Sequence, residues 1–85
     1  MDTEYHRQWL RQHIARLATH LVELEQNQSI LRKQDEDLVE HAADAEQRSS
    51  LVISYNVSLK RHSAAIKHTY KLHEIAAKQL ARLGD

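Results

Sequence analysis

The sequence predicts an all-α protein: two long helices folded into an antiparallel, coiled-coil-type hairpin, with hairpins assembling into a four-helix bundle. Three observations carry this expectation. Proline is absent from the 85 residues and the only glycine is Gly84, so the two strongest chain breakers are missing from almost the whole length. There is no phenylalanine, and one tryptophan and three tyrosines are all the aromatic residues the chain holds, too few for a β-sandwich or barrel core. Apolar residues also recur every seven positions.

That column reads Leu10, Leu17, Leu24, Leu31, Leu38, Ala45, Val52, Leu59, Ile66, His73 and Leu80, apolar everywhere except His73. A companion column four residues later reads Ile14, Leu21, Gln28, Asp35, Ala42, Ser49, Asn56, Ser63, Tyr70 and Ala77. Spacings of four and three held this long mark helices packed along a left-handed seam. The expected interface core is therefore Leu10, Ile14, Leu17, Leu21, Leu24, Leu31, Leu38, Val52, Leu59, Ile66, Tyr70 and Leu80. The companion column is strong only at its two ends. Gln28, Asp35, Asn56 and Ser63 are polar where a seam favours apolar side chains, and such positions fix register and oligomer state at a cost in stability.

The first element is a helix over about 3–47. The turn is expected at about 48–50, where Ser49 or Ser50 would cap a new helix and Arg48 suits the negative end of the old one. The second helix spans about 51–83. Within it, Ile53, Tyr55, Val57 and Leu59 alternate with polar residues as in a strand. A lone strand has nothing to pair with, and Val52, Tyr55, Leu59, His62 and Ile66 fit a helix. A turn at 48–50 sets Ala45 opposite Val52, Leu38 opposite Leu59, Leu31 opposite Ile66 and Leu17 opposite Leu80. It also brings Asp35, Glu36 and Asp37 near Lys60 and Arg61, and Glu23 and Glu25 near Lys71. Two competing architectures remain: one unbroken helix, and a three-helix bundle turning at Asn27-Gln28-Ser29 and Asn56-Val57-Ser58. All describe a single domain over 1–85.

Net charge is zero but unevenly placed. Residues 1–46 hold ten acids and five bases, net −5, and residues 47–85 hold seven bases and two acids, net +5. Such asymmetry fits two halves that face each other, or a basic half that meets nucleic acid or an anionic membrane. The segment from Ile66 to Leu83 is basic and amphipathic, as membrane-surface helices are, but its apolar face is expected to pack on the N-terminal arm, so a membrane partner is not expected. Nucleic acid is disfavoured by overall neutrality and by the lack of aromatic residues interleaved with the bases.

Little else carries chemistry. Cysteine is absent, which excludes disulfides and thiolate metal sites. Seven histidines occur, but His6, His13 and His20 recur every seven residues, about 10 Å apart along a helix, too far to share one ion. His62, His68 and His73 are spaced six and five apart, so no metal site is expected. His73 sits on the apolar column and would weaken the packing if protonated there. The acids Asp35, Glu36, Asp37 and Glu40 follow Arg32 and Lys33 and read as a solvated face rather than an acid–base pair, since slender helices offer no pocket to perturb them. No enzyme activity, cofactor or small-molecule substrate is expected. The acidic start without an apolar run is not a signal peptide, which sets the expected location inside the cell, in the cytoplasm. Glycosylation at Asn27 or Asn56 is accordingly not expected.

Function is thus expected to be structural or adaptor-like. The chain would pair with itself, most simply as a dimer, or join a larger protein assembly. Trp9, Ile30, Val39 and Ile53 lie off the main seam and are the candidate partner contacts, Trp9 foremost because tryptophan is enriched among interface hot spots.

Overall fold

A computed structural model describes residues 3–84. Helix α1 spans Thr3–Glu40 and helix α2 spans Ala45–Arg82. They pack against each other as a hairpin about 64 Å long. The single-helix and three-helix alternatives are both excluded, because the chain turns once and Asn27–Ser29 and Asn56–Ser58 lie inside helices.

The turn comes earlier than expected, at 41–44, and Arg48, Ser49 and Ser50 lie within α2. Asp44 is the reason. Its backbone is extended (φ −152°, ψ 178°) and its carboxylate accepts the Gln47 N–H at 2.8 Å. The Gln47 side-chain oxygen in turn accepts the Ala43 N–H, so two backbone donors are satisfied reciprocally, in the manner of a capping box. Charge favours the same break. Asp37 and Glu40 crowd the negative end of α1, which has no base in its last turn, whereas Asp44 and Glu46 flank the positive start of α2.

An earlier turn resets the pairing by about one heptad. Glu36, expected beside Arg61, instead accepts a hydrogen bond from Tyr55, and Gln28 donates to Ser63. Leu80 packs with Ile14 and Leu83 against the cluster of Leu10, Leu17 and Ala76. A shift of one heptad leaves the leucine columns facing inward away from the turn, from Leu10 to Leu31 and from Leu59 to Leu80, so the seam survives there while every partner changes. The expected ion pairs do not form: Lys60 and Arg61 make none with Asp35, Glu36 or Asp37. Glu4–Arg7, Glu4–Arg11, His20–Glu23 and Glu74–Lys78 each lie within one helix.

On α1 the inward positions follow the expected columns from Leu10 to Asp35, then move from Leu38 to Val39. On α2 the leucine column holds from Leu59 to Leu80, but its companion is Tyr55, His62, Thr69, Ala76 and Leu83. Asn56, Ser63, Tyr70 and Ala77 are exposed. The cause is chain direction. Reversing one arm exchanges the two sides of its seam, so the companion that faces α1 lies three residues after each leucine rather than four. Thr69 is thereby buried, and its hydroxyl donates to the Ala65 carbonyl at 2.8 Å, which leaves it satisfied.

The open end is tied by backbone contacts. Gly84 adopts φ 80° and its N–H reaches the Ala81 carbonyl, the left-handed exit that glycine permits. The Arg7 guanidinium donates twice to the Leu83 carbonyl, at 2.6 and 3.1 Å, which fastens the start of α1 to the end of α2.

Candidate interaction surface

The seam divides the outside of the hairpin into two flanks. Tyr70 donates to Glu25 at 2.9 Å and Gln28 to Ser63 at 3.3 Å, which marks one flank. Val22 on α1 and Ile53 on α2 share that side. Helical periodicity puts Trp9 and Ile30 of α1, with Leu72 and Ile75 of α2, on the other flank. All six apolar residues are substantially exposed.

The expected partner contacts are therefore split. Trp9 and Ile30 share a flank, Ile53 lies on the opposite one, and Val39 is half-buried in a groove with Glu36, Val52 and Tyr55. Of the expected interface core, Leu10, Leu17 and Leu21 are buried, and Ile14, Leu24, Leu31, Leu59, Ile66 and Leu80 are half-buried. Leu38 (56% exposed), Val52 and Tyr70 face solvent. Of the polar register positions, Gln28 and Asp35 sit half-buried on the seam, whereas Asn56 and Ser63 are exposed beside it. Thr69, Ala76 and the half-buried His62 were missed. Reading α2 in the reversed sense would have found all three.

Trp9 is held by its neighbours. His6 and His13 stack on it at centroid distances of 6.0 and 5.1 Å, within 8° of parallel. Trp9 is still 45% exposed. On the same flank, at the turn, Leu38, Asp37, His41 and Leu51 line a groove of about 700 Å³.

Charge sorts along the long axis. Residues 34–56, at the turn, hold six acids against Arg48, net −5. At the open end, 3–22 and 68–84 together hold six bases against Glu4 and Glu74, net +4. The outer face of α2 carries exposed Lys60, Lys67, Lys71 and Lys78. Two groups there are perturbed: the hydrogen bond from Lys78 pulls the Glu74 carboxyl below its usual value, helped by Lys71, and the bond to Glu25 raises the Tyr70 phenol.

Among the described residues, no three His, Asp or Glu side chains gather as a metal site would require, and no helix is long and apolar enough to cross a membrane. No protein-family model, curated protein or solved structure matches the chain.

Proposed function

We propose that this chain is a non-catalytic interaction module, a structural, adaptor or accessory subunit that works inside the cell by self-association. Two hairpins would close a four-helix bundle, and the same surfaces would serve a partner helix in a larger assembly. One observation carries the reading: the hairpin buries few residues against itself. Its buried residues are Leu10, Leu17, Leu21, Thr69 and Ala76, while Trp9, Val22, Ile30, Leu38, Ile53 and Ile75 stay exposed along both arms. Association would cover these open apolar side chains and add to a core that the hairpin alone builds only at one end.

Sedimentation velocity over a concentration series tests this. A compact species at a multiple of the chain mass supports it. A persistent, poorly helical monomer removes self-association and leaves the partner-dependent form.

The basic face of α2 favours a second reading, a regulatory module that binds nucleic acid or an anionic membrane. Binding to duplex DNA or to anionic vesicles that falls steeply with salt would support it. No binding at low salt would remove it.

A further inference from the structure

The geometry points to a second copy of this chain docked antiparallel on the Trp9 flank, with Trp9 of each copy entering the groove beside Leu38 at the other's turn. The inference rests on the self-association reading and specifies its face and polarity.

Charge sets the polarity. In a parallel pair the −5 turn ends would lie together and the +4 open ends would lie together. An antiparallel pair sets each acidic end against a basic one, and such complementarity fixes orientation even where it adds little affinity. The flank follows from what is exposed on it. The Tyr70–Glu25 and Gln28–Ser63 hydrogen bonds span the other flank, whereas Trp9, Ile30, Leu72 and Ile75 are left open on this one.

The spacing also fits. Trp9 lies 14 residues before Glu23 and Leu38 lies 15 after it, about 21 and 22 Å along the helix. A two-fold axis perpendicular to the hairpin near Glu23 therefore carries each Trp9 to the level of the partner's Leu38. The closed symmetry of such an isologous dimer uses each site twice and leaves no open end. At the midline, the His20 ring lies 4.0 Å from the Glu23 carboxylate. The stacking of His6 and His13 on Trp9 holds the indole in place before docking, which lowers the entropy cost of burying it.

The chain has no cysteine, so nitroxide labels on single-cysteine variants of the full chain report distances without background. Sedimentation of the unmodified protein comes first: a monomer there removes the self-association reading itself. Given a dimer, labels on Glu23→Cys should lie within about 20 Å of each other and labels on Arg82→Cys about 45 Å apart, from the helix rise. A short Arg82 distance would overturn the antiparallel order. A long Glu23 distance would overturn the midline. Trp9→Ala should raise the dimer dissociation constant at least about tenfold, as hot-spot truncations do, while Val22→Ala on the opposite flank should leave it within about twofold. The reverse pattern would move the interface to the other flank. Trp9 is the only tryptophan, so its emission should shift to shorter wavelength as dimer forms, and an unchanged spectrum would overturn its burial.

Discussion

The two ends of the hairpin share one pattern of leucines and differ in what that pattern buries. At the open end, Leu10, Leu17, Leu21, Thr69 and Ala76 are buried, and Arg7 fastens the last helical turn of α2. From residue 22 to residue 68, which includes the whole turn end, nothing is buried. There the seam carries Gln28, Asp35 and Tyr55 in place of aliphatic residues, and Leu38 and Val52 face solvent. A heptad column therefore says where side chains point, and the companion column decides how much water the seam excludes. Such a molecule should be stable at one end and open at the other.

The comparison breaks most readily at Leu10, which is fully buried. Leu10→Ala should lower stability by about 2–5 kcal/mol, the range for emptying a packed core site, while Leu38→Ala should cost under about 1 kcal/mol, as surface changes do. Thermal unfolding followed by helical circular dichroism measures both. Equal losses would mean that Leu38 is covered in solution, as the antiparallel dimer requires at high concentration. Below the dimer range the asymmetry should return.

Removing the cap tests the turn end directly. Asp44→Ala should cost about 1 kcal/mol, and the loss should show as faster amide exchange over the first turns of α2 with little change around Leu17 and Ala76. Uniform acceleration along both arms would show that the hairpin opens as one unit and that the two ends are not independent.

Much of this was legible in the sequence. The absence of breakers and the leucine column required long helices, and from Leu10 to Asp35 the inward positions of α1 follow both columns without interruption. The turn did not, although its signal was present. Asp44-Ala-Glu-Gln47 is a capping pattern, and the acids before and after it favour ending one helix and starting another. The serines at 49 and 50 drew the break instead, since residue type alone does not tell which of two caps wins. The α2 companion column failed for a different reason. One spacing shared by both arms suits parallel helices, and the reversal that buries Thr69 and exposes Tyr70 follows only once the chain is folded back. The Trp9 flank was half legible: Trp9 and Ile30 stand off the seam by spacing, but Leu72 and Ile75 join them only in three dimensions.

Gln28 sharpens the comparison from the polar side. It sits half-buried on the seam and donates to Ser63, which is itself exposed. Gln28→Leu removes a hydrogen bond whose acceptor can turn to water and adds apolar contact where the seam lacks it. The midpoint of denaturant unfolding should rise by the equivalent of about 0.5–1 kcal/mol, in keeping with polar seam residues trading stability for register. The label distances should broaden at the same time if Gln28 fixes the pairing. A lower midpoint would show that the polar stretch stabilises the turn end rather than weakening it.

The smallest expected effect belongs to the open end and depends on pH. Lys78 donates to Glu74 at 2.9 Å, one turn apart on α2, and this holds the Glu74 carboxyl below its usual value, with Lys71 adding to the attraction. A carboxyl lowered by folding binds fewer protons in the folded state than in the unfolded one. Its contribution is therefore fully present above the ordinary carboxylate range and is lost as pH falls through the lowered value. Because the pair is exposed, salt and side-chain entropy keep it weak. Glu74→Gln should lower the melting temperature slightly at neutral pH, the two proteins should converge in acid, and added salt should narrow the neutral-pH gap. A gap that persists unchanged into acid would assign the effect to helix propensity or packing at position 74, and the open end would then owe its stability to the leucine seam and the Arg7 clamp alone.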